Sequence, residues 1–214
     1  CPESRGLGDV YKRQFKDKVN MSNLCQEITL PTDPIQHIDG DGEIALCILS
    51  AINVGKLKNL DELQDLCDLS VRGLEELIDY QEYPVEAARV STLARRSLGI
   101  GFIGLAHYLA KNGFKYSDAG AWKLVHDLTE AFQYYLLKSS NEIAKEKGAC
   151  QYFDRTKYSD GILPIDTYKK DLDELVPNNL NYDWETLRGS ITTHGLRHST
   201  PVSYTHLRAH ETLD

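Results

Sequence analysis

The 214-residue sequence has no C-x-x-C pair, no apolar run of membrane-spanning length, no excess of positive charge and no internal repeat. Each absence removes a class of function. Five cysteines, scattered over Cys1, Cys25, Cys47, Cys67 and Cys150, are an odd set without zinc-ligand spacing, unlike a secreted disulfide framework. A net charge of −8 argues against a nucleic-acid polymer as partner. No 18-residue apolar stretch argues for a membrane span, and no charged-then-apolar leader opens the chain. The default expectation is a reducing, cytoplasmic setting. Hydrophobic residues make up 41% and charged residues 26%, ordinary proportions for a globular chain able to bury a core.

The two ends lack the periodicity of their neighbours. Ser4 to Gln14 can be back-translated into a DNA string whose reverse complement, in a shifted frame, encodes Val202 through Glu211 and begins Thr212. Ends related as opposite strands of one oligonucleotide resemble translated sequencing-adapter DNA. Residues 1–14 and 201–214 are therefore expected to lie outside the natural fold, as a processing scar would. Residues 15–200 are expected to be a piece cut from a longer protein.

Between those limits, strand and helix signals alternate. "SNLCQEITL" and "EIALCILS" read as strands, separated by the turn-rich "PTDPIQHIDGDG". A helix over about 59–80 carries Leu60, Leu63, Cys67, Val71, Leu74 and Ile78 on one face, with Asn59 and Glu62 at capping-box spacing. A second helix follows Pro84. "SLGIGFIG" reads as a strand and tight turn opening into "LAHYLAKNG". Ser117 is placed to cap a long helix over about 118–147 that stops at Gly148, and a last helix, "DWETLRGSITTH", stops at Gly195. The alternation predicts an α/β layered or barrel architecture.

Most motif candidates have a plain reading. Gly99, Gly101 and Gly104 spell G-x-G-x-x-G, but no second strand with a terminal acid follows, which favours close packing over dinucleotide binding. The histidines, His194 and His198 included, share no metal-ligand spacing with a carboxylate. Cys67 sits on an apolar stripe and reads as a small core residue. Tyr134, Tyr135, Leu136 and Leu137 read as packing residues. The unusual stretch is "MSNLCQEITLPT". In an extended strand Asn23, Cys25 and Glu27 would share one face at about 6–7 Å spacing, with Leu24 and Ile28 as anchors and Gln26 turned away. Composition favours a solvated face there, although a free cysteine between an amide and a carboxylate is an odd choice for one. Alternation alone does not choose between solvent and substrate.

"SNLCQEITLPT", "DGEIALCILSAINVG", "GILPIDTYKKDLD" and "THGLRHST" together resemble the large catalytic subunit of class I ribonucleotide reductase, of the aerobic bacterial type. The resemblance covers residues 20–200 in order. It implies part of a ten-stranded α/β barrel with a central finger loop. It makes Cys25 the thiyl-radical cysteine that takes the 3′-hydrogen of a ribonucleoside diphosphate, Glu27 the acceptor of the 3′-hydroxyl proton and Asn23 a hydrogen-bonding partner of the sugar. Residues Asn23, Leu24, Cys25, Gln26 and Glu27 become the substrate-facing stretch. Cys47 becomes one half of a redox disulfide whose other cysteine is absent from this chain. The resemblance further implies a small subunit that supplies a metal-centred radical, thioredoxin or glutaredoxin as reductant and a homodimer of the full-length subunit. The segments that bind ATP, dATP and other dNTP effectors would lie outside this chain, and no metal or cofactor is expected in it. Two other readings stand beside this one. They are a non-catalytic helical interaction module with core cysteines, and a nucleotide-binding oxidoreductase built on Gly99–Gly104.

Overall fold

The computed structural model describes residues 15–22, 29–35, 42–46, 48–168, 170–177 and 179–204. Two strands, β1 (Val19–Ser22) and β2 (Thr29–Pro31), pair antiparallel with Ser22 opposite Thr29 and a register shift between Val19 and Met21. The expected single strand "SNLCQEITL" is thus corrected: the chain reverses between Ser22 and Thr29. Alternating polarity tells which side chains share a face, but not whether the chain runs on or turns back.

A second sheet holds β3 (Ile48–Asn53), β4 (Leu98–Ile103) and β5 (Pro201–Tyr204), all parallel and in that order. Strand β3 starts later than "EIALCILS" suggests, because the backbone before it is used elsewhere. The Glu43 amide donates to the Asp33 carbonyl at 2.9 Å and the Ile44 amide to the Ala87 carbonyl at 3.1 Å. Between β3 and β4 lie α1 (Glu62–Tyr80) and α2 (Glu86–Arg95). Between β4 and β5 lie α3 (Leu105–Lys111), α4 (Ala119–Lys147), several short 3-10 turns and α5 (Trp184–His194). Parallel strands joined through helices are the α/β arrangement the sequence suggests.

The core follows the predicted stripe. Leu63, Cys67, Val71, Leu74 and Ile78 of α1 are buried, and Leu60 packs against them. From β4 the even positions Leu98, Ile100 and Phe102 enter the same core, where Phe102 meets Phe132 of α4 edge-to-face at 5.4 Å. Each fully buried aliphatic side chain of this kind contributes about 1.5–3 kcal/mol. Tyr134 and Tyr135 pack against Tyr182, at 4.8 and 5.3 Å between ring centroids. The other face of the sheet carries exposed Leu49 and Ala51 on β3, in register with Gly99 and Gly101.

Most helix ends agree with the sequence. The Asn59 side chain accepts from the Glu62 amide at 3.2 Å, and Glu62 reaches back to the Lys58 amide at 3.0 Å. Gly148 and Gly195 stop α4 and α5 with φ of 86° and 77°. Ser117, however, does not cap α4: Asp118 holds the N-cap position, and its carboxylate closes the preceding turn by accepting from the Lys115 amide. At the other end, the sheet runs four residues past the expected boundary at residue 200. Edge pairing is made by backbone groups, so an extended Pro-Val-Ser-Tyr can complete it whatever the origin of its side chains.

Candidate active site

The sequence candidates Asn23, Leu24, Cys25, Gln26, Glu27 and Cys47 lie outside the described residues. The structure shows the frame on both sides of them. Residues 23–28 connect the paired ends Ser22 and Thr29, and Cys47 immediately precedes β3.

The base of the hairpin is held by two arginines. Arg155 donates through Nε to Asp17, just before β1, and through both terminal nitrogens to Asp33, just after β2, at 3.0 Å each. Arg95, at the end of α2, is 2% exposed and forms a fork with Glu43 at 2.8 and 2.7 Å. It also donates to Asp17 at 3.2 Å, so one Asp17 oxygen serves both guanidiniums. Both cations lie against the Tyr152 ring, at 5.0 Å for Arg95 and 4.5 Å for Arg155. Backbone bonds reinforce the join. Lys16 donates to the Arg155 carbonyl, the Asp33 amide to the Glu43 carboxylate, and Phe15 forms a bridge with Thr156. Charge-assisted forks between planar groups fix orientation as well as distance. Arg155 also holds the Asp33 carboxyl below its usual range, chiefly through their hydrogen bond. A cavity of about 530 Å³ opens beside this join, lined by Asp17, Lys18, Asn20, Thr32, Asp33 and Arg155 among others.

Sequence reading missed this cluster. Its one legible signal is the doublet Arg95–Arg96 inside the otherwise apolar "STLARRSLGIGF", since charge in a buried run demands a partner. Arg95's partners Glu43 and Asp17 are 52 and 78 positions away, and Arg155 meets Asp17 across 138, beyond the reach of any local pattern.

Arg96 points the other way, into a second cluster. It bonds Glu75 of α1 at 2.7 Å and forks onto Asp79 at 2.9 and 2.7 Å. Glu75, 1% exposed, also accepts from Arg197 at 2.7 Å and lies 3.0 Å from His198 Nε2. His198 Nδ1 sits 2.9 Å from the Ser140 hydroxyl, and the His198 amide donates to that same hydroxyl. A neutral ring with its proton on Nε2 satisfies every one of these contacts. Burial alone would raise the Glu75 carboxyl. The hydrogen bonds from His198, Arg96 and Arg197 outweigh it and hold the group far below its usual range. Burial pushes His198 down, against the opposing pull of Glu75.

The remaining candidates are structural. Burial pushes the Cys67 and Cys150 thiols up to about 12, so both stay protonated and unreactive. Gly99 and Gly101 lie inside β4 rather than in a loop, and Gly104, at φ 80°, is needed because a Cβ there would meet the Asn53 side-chain oxygen at 2.6 Å. That supports packing, not a phosphate cradle. Among the described residues, no group of three His, Cys, Asp or Glu could hold a metal ion, and no helix is long and apolar enough to cross a membrane. The apolar cavity of about 590 Å³ between α3, α4 and residues 164–180 includes Glu130 in its wall. That carboxylate is committed to Asn181, Tyr182 and Trp184.

A family model described as "Ribonucleotide reductase, barrel domain" matches residues 10–205. The chain belongs to this family. Among its relatives, ribonucleoside-diphosphate reductase subunit alpha of Haemophilus influenzae is 64% identical over 183 residues. Ribonucleoside-diphosphate reductase 1 subunit alpha of Escherichia coli is 60% identical over 183 residues. The subunit alpha of Enterobacteria phage T4 is 40% identical over 187 residues. Each alignment covers 85–86% of this chain and 24% of the relative, so the chain spans about a quarter of the length of the curated reductases it matches. For a reductase barrel segment, the hairpin base is the candidate site frame: it brackets Asn23–Glu27 and leads through Glu43 toward Cys47.

Proposed function

We propose that this chain is the finger-loop portion of a ribonucleoside-diphosphate reductase alpha subunit, which reduces ribonucleoside diphosphates to 2′-deoxyribonucleotides for DNA precursor synthesis. The observation that carries the reading is 64% identity over 85% of the chain to a protein of that name. The hairpin that brackets residues 23–28 supports it, because a radical cysteine needs a rigid mount that reaches its substrate. The finer architecture in this reading is a ten-stranded barrel, of which β3 and β4 are two adjacent strands with helices outside and the open face of Leu49, Ala51, Gly99 and Gly101 inward, while Pro201–Tyr204 pairs where the next native strand would lie. Residues 1–14 and 201–214 are read as adapter-derived, on the strength of their reverse-complement relation. Resequenced source DNA with natural coding sequence across both junctions would end that part of the proposal.

In the proposed chemistry, Cys25 as a thiyl radical takes the 3′-hydrogen from the ribose, and Glu27 accepts the 3′-hydroxyl proton while Asn23 hydrogen-bonds the sugar hydroxyls. The 2′-hydroxyl leaves as water. Cys47 and a second cysteine outside this chain supply two electrons and two protons and end as a disulfide. Glu27 then returns the proton to the 3′ oxygen as Cys25 returns hydrogen to C3′ and is a thiyl again. Hydrogen transfer between sulfur and carbon demands contact distance, so base, amide and thiol must be arranged around one ribose beforehand. The metal-centred radical that starts each turnover comes from the small subunit. Thioredoxin or glutaredoxin re-reduces the subunit by thiol exchange, the full-length subunit forms a homodimer in the cytoplasm, and ATP, dATP and other dNTP effectors bind in other segments.

The test uses the complete alpha subunit with its radical-generating partner. Cys25→Ser is expected to abolish turnover and retain nucleotide binding; normal activity in that variant would remove the thiyl role. Cys47→Ser is expected to block repeated turnover with thioredoxin-type reductants. Under the interaction-module reading both substitutions would be silent apart from small stability effects.

A further inference from the structure

Residues 23–28 connect β1 to β2 in the chain, and these two strands are short, four and three residues. Two strands of that length do not fix a loop in space by themselves, since an isolated hairpin is at best marginal in water. What fixes it here is at the base. Arg155 connects Asp17 to Asp33, the residues flanking the hairpin on its two sides. Arg95 connects Asp17 to Glu43, which begins the approach to Cys47. The two guanidiniums share one Asp17 oxygen and one aromatic ring, so the two arms are set relative to each other as well as to the sheet. Arg95 in turn is anchored from behind, where its carbonyl accepts from the Ser199 amide beside β5.

We propose that Arg155 and Arg95 are positioning residues for the reaction, holding the arm that carries Cys25 and the arm that carries Cys47 in one fixed relation across the ribose. This rests on the reductase reading above. The clamp acts through the backbone of the two arms and touches no reacting atom. Its value lies in geometry, because a displacement of about 1 Å at a reacting centre can cost about 100-fold in rate. A lysine at 155 keeps the charge but cannot form the fork to Asp33 and the bond to Asp17 together.

The experiment compares Arg155→Gln, Arg155→Lys and Asp33→Asn in the complete alpha subunit with its partner, scoring kcat, KM for a ribonucleoside diphosphate and melting temperature. Single turnover by pre-reduced enzyme is measured alongside. The proposal expects kcat per folded molecule to fall about 10–100-fold in Arg155→Gln, with partial recovery in Arg155→Lys. KM should move far less, and the loss should persist in the single-turnover reaction. Unchanged kcat per folded molecule overturns it, and so does a loss of activity that merely tracks a loss of folded protein. Where Arg155→Gln fails to fold, Asp33→Asn decides, since it removes an exposed partner and leaves Arg155 bonded to Asp17; wild-type kcat there overturns the clamp. Cys25→Ser separates the two levels. Inactive Cys25→Ser with fully active Arg155 variants sinks the clamp alone, whereas active Cys25→Ser sinks the reductase reading itself.

Discussion

Arg95 and Arg96 are neighbours in sequence and serve two different clusters. Arg95 faces a join between segments far apart in the chain, in which Asp17, Asp33 and Arg155 remain partly exposed. Arg96 faces a sealed cluster against α1, where Glu75, His198 and Ser140 are almost fully buried. The turn between them is local: Arg96 adopts left-handed φ of 49° as the residue after α2, which sends its side chain away from that of Arg95. Such a conformation is uncommon outside glycine and asparagine, and here the bonds to Glu75 and Asp79 offset its cost. The comparison separates two uses of buried charge. The Glu75 cluster ties α1, α4 and the residues leading to β5 into one body. The Arg95–Arg155 cluster ties the β1–β2 pair onto that body.

The largest effect should come from the sealed cluster. Glu75→Gln leaves Arg96 and Arg197 facing each other in a buried site with one countercharge fewer, and breaking such a pair costs about 3–5 kcal/mol. Chemical denaturation of the complete subunit should show an unfolding free energy lower by that amount, read as a lower midpoint at unchanged m. The surviving folded fraction should keep its kcat, because no arm of the candidate site is attached there. A fall in kcat per folded molecule would mean that the two clusters are not functionally separate.

Acid should find the same difference. His198 is held below its ordinary value of 6.5, so the folded state resists the proton that the unfolded state accepts. Its contribution is therefore complete above about pH 6.5 and fades as pH drops below that, with a limiting slope of about 1.4 kcal/mol per unit. Glu75 is also held low, so its contribution lasts until pH falls below the ordinary 4.5 and further. Asp33, at the hairpin, is held below 3.8 and has no histidine beside it among the described residues. Between pH 6.5 and 5 the Glu75 cluster should weaken while the hairpin clamp stays intact. His198→Asn should flatten stability over that interval, read from denaturation midpoints at each pH; an unchanged slope would remove His198 as its source.

The elements that position the candidate site were legible to unequal degrees. The α1 stripe and the stops at Gly148 and Gly195 follow from periodicity and backbone preference, which are written locally in the sequence. The hairpin was not, because the polar alternation of "SNLCQEITL" fits either a continuous strand or two arms. The clamp could not be read at all beyond the Arg95–Arg96 doublet, since Asp17 and Arg155 meet across 138 positions. The reactive residues were reached through resemblance, whereas the groups that hold their supports are visible only in three dimensions.

The smallest expected stability change gives the sharpest contrast. Asp33 and Asp79 are matched: each is an aspartate about half exposed, with side-chain exposures of 52% and 48%, and each forks onto one arginine. Exposed pairs of this kind contribute less than about 1 kcal/mol, so Asp33→Asn and Asp79→Asn should both leave the melting temperature nearly unchanged. Their surroundings differ. Asp79 lies at the end of α1, away from both arms, whereas Asp33 closes the base of the hairpin. Turnover by the complete enzyme should therefore fall in Asp33→Asn and stay level in Asp79→Asn, at matched folded concentration. Equal kcat in the two variants would show that an arginine fork at the hairpin base does no more for catalysis than one elsewhere on the surface.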